Sequence, residues 1–204
     1  MLSLTKKPDD EIVLSDGHTY KLHLGYRTVL KWYEMLEDTD ISDIDKVDNS
    51  FLLFVGDIPN ISLEEEATVV NAVQKMITKR PYGNHENIEG KPTANKRFFS
   101  YNKDAEAIYA SFIYDYGIDL TECPGMRWDK FQALFNNLSE DSPLMRIVRI
   151  RQTDTSNMEG EQLERIMELQ TYYMLDEKDT AENVEQDMAS VFGMLKANSV
   201  QKGG

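Results

Sequence analysis

The residues best suited to chemistry in this sequence are its three histidines, because imidazole is a common metal ligand and a base near neutral pH. His18 and His23 are five positions apart in a predicted strand, so they point to opposite faces and cannot share a metal ion. His85 lies in HENIE, which lacks the second histidine of a zinc-protease helix. We predict surface histidines, no metal site and no cofactor.

The acidic run DTDISDIDKVD, residues 38–48, contains the carboxylate oxygens that calcium prefers. A calcium loop beginning at Asp38 needs glycine at its sixth position and glutamate at its twelfth. Those positions hold Asp43 and Asn49. The run is instead typical of a solvated helix N-terminus, where carboxylates face the positive end of the helix dipole.

No sequence motif for covalent or phosphate chemistry is present. Gly90-Lys91 is followed by Pro92 and lacks the earlier glycine of a phosphate-binding loop, and no nucleophile elbow or dinucleotide fingerprint occurs. Cys123 is the only cysteine and has no histidine near it in sequence, which favours a spectator over a nucleophile. We predict that the chain is not an enzyme.

The net charge of −14 argues against a nucleic-acid binder, which needs a basic face. No run of about eighteen apolar residues occurs, so no membrane span is predicted. The N-terminus also lacks the apolar core of a secretory signal. The charge is uneven: residues 154–187 contain eleven acidic and two basic residues, whereas residues 79–103 contain six basic and two acidic ones. The charge favours solubility and a basic partner, and the single cysteine fits a reducing cytoplasm.

The pattern of apolar residues predicts a mainly α fold, a helical domain built on amphipathic helical hairpins with a short N-terminal β-hairpin. In the β-hairpin, residues 11–24, Asp16-Gly17 predicts the turn and Tyr20, Leu22 and Leu24 the buried face. Ser62 and Glu65 predict a capping box. Two helices of this part have their apolar positions at Val29, Trp32, Tyr33 and Leu36, and at Ala67, Val70, Val73, Met76 and Ile77.

Residues 103–138 are predicted to form a helical hairpin at the centre of the core. Gly117 ends its first helix as a left-handed cap. That helix has an apolar stripe at Ala105, Ile108, Tyr109, Phe112, Ile113 and Tyr116. The predicted core aromatic residues of the hairpin are Tyr109, Phe112, Tyr116, Trp128, Phe131 and Phe135.

Residues 80–102 are predicted to be a linker or long loop, because residues 80–100 contain two prolines, two glycines and no periodicity. The linker divides an N-terminal part, 1–79, with the β-hairpin and helices, from a C-terminal helical region, 103–204, with acidic late helices. One continuous domain stays open as the alternative.

Ser142-Pro143 begins a short helix in the C-terminal part. Its basic residues are predicted to form a solvated face, with an internal counterpart to the acidic helix after Glu161 as the alternative. These basic residues are Arg146, Arg149 and Arg151.

The acidic region after Thr153 is expected to attach less stably than the core, because its connector is polar and its charges repel one another. A first apolar stripe here comprises Leu163, Ile166, Met167, Tyr173 and Met174. The last stripe is the predicted partner-binding surface, because a helix at the chain end undocks at low cost; it comprises Val184, Met188, Val191, Phe192 and Leu195.

Two segments have residue identities that helical periodicity does not require. They are KDAEAIYASFIYDYGIDL, residues 103–120, and RWDKFQALFNNLSEDSPLMRIVRIRQ, residues 127–152. The chain from about Tyr26 to Leu175 resembles the bacteriophage gene product fifteen family, found among the tail-morphogenesis genes of phages and prophages of Gram-positive bacteria. The aspartate-tyrosine-glycine and tryptophan-lysine-phenylalanine blocks are the specific part of this resemblance.

The resemblance implies a tail-assembly chaperone that holds the tape measure protein soluble and helps to recruit tail-tube subunits. It implies work in the host cytoplasm and absence from the mature virion, with no catalytic residue. The tape measure and tail-tube proteins are the expected partners, and self-association stays open. Two other functions stay open: an acidic mimic of nucleic acid that inhibits a host enzyme, and a minor structural component of the tail.

Overall fold

A computed structural model of the 204-residue chain describes residues 2–8, 10–79 and 98–175. In chain order its elements are β1 (Glu11–Val13), β2 (Thr19–Lys21), α1 (Tyr26–Glu37), α2 (Asp43–Phe54), α3 (Leu63–Thr78), α4 (Ala105–Tyr116), α5 (Trp128–Phe135), α6 (Pro143–Gln152) and α7 (Gly160–Tyr172). The mainly α fold with a short N-terminal β-hairpin is confirmed. Most of the predicted linker, 80–102, and all of the stripe from Val184 to Leu195 lie outside the described residues.

The chain forms two compact units. The described part of the first unit comprises residues 2–8, 10–79 and 124–132, and that of the second comprises residues 98–123 and 133–175. The predicted helical hairpin over 103–138 is therefore wrong as a single packed element, because Pro124–Gln132 belong to the first unit. The predicted division at residues 80–102 placed all later residues in one C-terminal part, whereas residues 124–132 belong to the first unit.

The β-hairpin forms around a turn at Asp16-Gly17, as predicted. Gly17 has a φ of +79°, a backbone conformation that favours glycine. The Asp16 carboxylate accepts hydrogen bonds from the His18 backbone N–H at 2.8 Å and from the Tyr20 hydroxyl at 2.6 Å. Leu22 and Leu24 are buried, and Tyr20 is half-buried. The hairpin is thus a single short antiparallel pair of strands, and the two leucines that follow it are buried.

Serine caps begin two helices of the first unit. The Ser42 hydroxyl accepts from the Asp45 backbone N–H, so the acidic run does form a helix N-terminus. The Ser62 hydroxyl accepts from the Glu65 N–H at 3.3 Å. The Glu65 carboxylate accepts from the Ser15 N–H and hydroxyl, both at 2.6 Å, instead of closing the predicted capping box. It ties the β-hairpin to α3.

The core of the first unit is centred on Trp32, which is fully buried. Its indole N–H donates to the buried Ser50 hydroxyl at 2.9 Å, so the polar atom of this large side chain is satisfied. The predicted apolar positions of α1 and α3 are buried, except Met76, which is half-buried. The core also includes Val47, Phe51 and Phe54 from α2.

Trp128 attaches the start of α5 to the first unit. Its indole N–H donates to the Ile77 carbonyl at 3.0 Å, and its backbone N–H donates to the Leu24 carbonyl at 2.8 Å. The ring of Phe131 stacks on Tyr26 with 5.2 Å between centroids. Because Trp128 and Phe131 are buried here, this segment packs with the N-terminal elements.

The second unit is built on the contact between α4 and α6. Ile108, Ser111 and Phe112 form the buried face of α4. The Ser111 hydroxyl accepts from the Leu144 backbone N–H at 2.9 Å. The helix α6 begins after Ser142 as predicted, but the hydrogen-bonded cap comes from Ser111 on the neighbouring helix.

The predicted apolar stripe on α4 is too broad. Phe112 is fully buried, but Tyr109 is 37% exposed, Ile113 is 41% exposed and Ala105 is exposed. A core position is therefore wrong for Tyr109, because the buried face of α4 is one narrow strip at i, i+3 and i+4. Tyr116 is half-buried. The other predicted core aromatic residues are buried: Trp128 and Phe131 in the first unit and Phe135 in the second.

Arg151 is buried, so its predicted place on a solvated face is wrong. Its guanidinium donates to both carboxylate oxygens of Asp104, at 2.7 and 2.8 Å. It also donates to the carbonyls of Phe98 at 2.8 Å and Tyr173 at 2.5 Å. The side chains of Arg151 and Asp104 are only 8% and 5% exposed. The other two basic residues of α6 are exposed: Arg146 and Arg149.

We predict that Arg151→Met destabilises the second unit by about 3–5 kcal/mol, because it leaves the Asp104 carboxylate buried without its partner. The control is Arg149→Met on the same helix, where an exposed cation is lost and the change stays within about 0.5 kcal/mol. Urea unfolding followed by far-UV circular dichroism is the measurement, because both tryptophans lie in the first unit. Equal midpoints for the two variants would contradict the buried pair.

Phe112→Ala should cost about 3–5 kcal/mol, since it opens a cavity in the core of the second unit. Tyr109→Ala, three positions earlier on α4, should cost clearly less than Phe112→Ala because the Tyr109 ring is 37% exposed. The same dichroism experiment compares them. Similar losses would mean that the buried face of α4 is misassigned.

Candidate interaction surfaces

The three histidines and Cys123 were predicted to have no part in catalysis or metal binding. His18 and His23 are exposed, with His18 Nδ1 3.2 Å from Asp16, and His85 lies outside the described residues. Cys123 is half-buried. Within residues 2–8, 10–79 and 98–175, no group of three or more His, Cys, Asp or Glu residues could hold a metal ion. None of the described helices has the length and apolar character needed to cross a membrane.

The aspartate-tyrosine-glycine block, residues 115–117, holds the end of α4 against the turn after α5. The Asp115 carboxylate accepts from the Ser139 N–H at 2.7 Å and from its hydroxyl at 2.6 Å. The Tyr116 hydroxyl donates to the Asn137 carbonyl at 2.8 Å, and burial, followed by the Asp115 charge, raises the pKa of Tyr116. Gly117 has a φ of +64° and ends the helix as predicted. Each member of the block therefore has a structural role.

The outer side of α4 exposes three large apolar side chains, which we call the α4 surface: Tyr109, Ile113 and Tyr114. They are 37%, 41% and 57% exposed. Because Tyr109 and Ile113 are four positions apart, they are neighbours on the helix. Tyr114 is exposed further around α4, about 100° from Ile113. The Arg146 guanidinium lies 6.0 Å from the centroid of the Tyr114 ring and places a cation at the edge of this surface.

Tyr109 is held in place by the turn that follows α4. Its hydroxyl donates to Asp119 Oδ2 at 3.1 Å. Hydrogen bonds from the Thr121 hydroxyl and backbone N–H, and then from Tyr109, lower the pKa of Asp119 from its ordinary value of 3.8. The bond to Asp119 in turn raises the pKa of Tyr109. The raised pKa favours the protonated phenol, which is the donor in this bond.

The outer side of α7 also exposes apolar residues among acidic ones. Met167 and Tyr172 are 54% and 80% exposed, Met174 just beyond the end of α7 is 67% exposed, and no side chain within α7 is fully buried. The remaining residues of the predicted stripe are half-buried: Leu163, Ile166 and Tyr173. The acidic residues on this helix are Glu161, Glu164 and Glu168. This part of the second unit therefore has exposed methionine side chains among negatively charged ones.

Both surfaces lie in the part of the chain that matches a known protein family. A model of the family Bacteriophage Gp15 protein matches residues 9–175. The chain belongs to the bacteriophage Gp15 protein family. The match extends from before β1 to beyond α7, which confirms the predicted family and makes this a phage protein. No curated protein and no solved structure matches the chain.

The α4 surface of this Gp15 protein was missed by sequence reasoning, which assigned Tyr109 and Ile113 to the core. One signal was present in the sequence. The apolar residues of α4 extend around more of the helix than one neighbouring helix can cover, and Tyr114 lies off the predicted stripe. A stripe wider than one face indicates a second, outward surface.

We predict that Thr121→Ala raises the pKa of Asp119 more than Tyr109→Phe does, because the Thr121 hydroxyl is the larger of the two influences. The lowered pKa means that these bonds stabilise the fold above the unfolded pKa and are lost as the pH falls through the folded value. Carboxyl carbon NMR titration measures both shifts. The reverse order, or no shift in either variant, would contradict the bonding at this turn.

Proposed function

We propose that this phage protein acts in tail morphogenesis as a tail-assembly chaperone. In this role it binds amphipathic helical segments of the tape measure protein and helps to recruit tail-tube subunits. Membership of the Gp15 family supports a place in the phage, and the α4 surface is the observation that supports helix binding. Three large apolar side chains within two helical turns form the kind of exposed patch that contacts a partner.

The α4 surface suits the packing of one helix on another. Tyrosine supplies large contact area with few rotatable bonds, and both its tyrosines are exposed. Met167 on α7 and Met174 just beyond its end add flexible side chains that can adapt to varied client sequences. Binding of this kind needs no catalytic residue, cofactor, membrane or nucleic acid.

The charge of the chain supports a cationic client. With a net charge of −14, the protein repels nucleic acid and attracts lysine-rich or arginine-rich helices over a distance set by the salt concentration. We place this activity in the host cytoplasm before the tail is complete, and we expect the protein to be absent from the mature virion.

The net charge also favours one other function, an acidic mimic of nucleic acid that inhibits a host enzyme. Such a mimic presents carboxylates in place of phosphates, and the apolar α4 surface has no use in that role. Titration against host DNA-binding enzymes tests this alternative. Mass spectrometry of purified virions tests the third function, a minor structural component of the tail.

The sharpest test of the chaperone function compares Ile113→Lys with Ile44→Lys. Both changes place a lysine at an exposed isoleucine, 41% exposed on α4 and 55% exposed on α2 respectively. Co-expression with tape measure fragments should show that Ile113→Lys lowers the amount of soluble co-purified client by about tenfold or more, because a charge then lies in the contact. Ile44→Lys should behave like the unmodified chain.

Dichroism spectra must match for both variants, so that a folding defect is not read as lost binding. Retention of client by Ile113→Lys at the level of Ile44→Lys would contradict binding through the α4 surface. Failure of the unmodified chain to bind any tape measure fragment would contradict the chaperone function itself.

A further inference from the structure

The apolar attachment of α7 is weak. None of its side chains is fully buried, and those that face the rest of the second unit are only half-buried, chiefly Leu163, Ile166 and Leu169. Apolar stabilisation grows with the area removed from water, so half-buried side chains contribute much less than core residues such as Phe112. The position of α7 therefore depends on its polar contacts to an unusual degree.

These polar contacts come from two side chains, and we call them the α7 latch. The Gln170 Nε2 donates to the carbonyls of Ile150 at 3.0 Å and Thr153 at 2.8 Å. From α6, Arg151 Nε donates to the Tyr173 carbonyl at the end of α7. The latch thus joins the C-terminal ends of α6 and α7.

Opening the latch costs Arg151 one bond, because its Nε–H loses the Tyr173 carbonyl, but the Asp104 carboxylate keeps its partner. The carbonyls of Ile150 and Thr153 lie at the end of a helix, where water satisfies such groups once they are exposed. Arg151 keeps its bonds to Asp104 and Phe98, because neither residue belongs to α7. The contact of α4 with α6 does not involve the latch, so it survives the departure of α7.

We propose that α7 is a releasable helix, which docks on α6 through the α7 latch and undocks as one unit while α4 and α6 stay folded. Release uncovers the side of α6 that α7 covers. The inference rests on contacts within the second unit and is independent of the chaperone function.

Hydrogen exchange of the full chain, followed by mass spectrometry, tests the release of α7. In the unmodified protein the amides of α7 should exchange faster than those of α4 and α6. Gln170→Ala should speed exchange throughout α7 by about five- to tenfold, the effect of losing a hydrogen bond, with no change in α4 or α6. Gln162→Ala is the control, because Gln162 is an exposed glutamine on the same helix and its replacement has the same effect on helix propensity.

Equal exchange of α7 in Gln170→Ala and Gln162→Ala would overturn the latch. A parallel loss of protection in α4 and α6 would show that α7 is an integral part of the unit and would overturn its independent release. Gln170→Asn keeps the amide but shortens its reach, so it should speed the exchange of α7 in the same direction. If the α7 amides exchange no faster in Gln170→Asn than in Gln162→Asn, the latch is also contradicted.

Discussion

The buried pair of Arg151 and Asp104 is the interaction on which the second unit depends. One guanidinium joins the start of α4, the end of α6, the end of α7 and the backbone at Phe98. The Asp104 carboxylate also accepts from the Ser100 N–H at 2.9 Å. Burying two charges is costly, and the cost is offset because the guanidinium donates four hydrogen bonds and both carboxylate oxygens accept. Lysine could not replace Arg151, since it lacks the planar fork that binds a carboxylate with two bonds.

This pair also determines what α4 can present. The helix is held at its start by Asp104, in its middle by the bond between Ser111 and the Leu144 N–H, and at its end by Asp115 on the turn after α5. Because these contacts fix α4 along its length, Tyr109, Ile113 and Tyr114 are displayed on a rigid element. A rigid apolar surface loses little conformational entropy on binding.

Local features of the fold were predictable from the sequence, and distant pairings were not. The turn at Asp16-Gly17 and the cap at Ser62 depend on residues a few positions apart, so a sequence pattern is enough to find them. Arg151 and Asp104 are 47 positions apart, and Trp128 and Ile77 are 51 apart. Periodicity shows which side chains are apolar but not which neighbour covers them. For this reason Trp128 was assigned to the wrong group of helices, and Tyr109 and Ile113 were assigned to the core.

We propose that the outward side of α4 receives an amphipathic helix of a tape measure protein. Hydrogen exchange of the full chain, alone and mixed with a soluble helical tape measure fragment, tests this claim most directly. We predict that the fragment slows exchange over residues 105–116, while the exchange of residues 10–79 is unchanged. Slower exchange confined to residues 10–79, with residues 105–116 unaffected by a bound fragment, would contradict the claim.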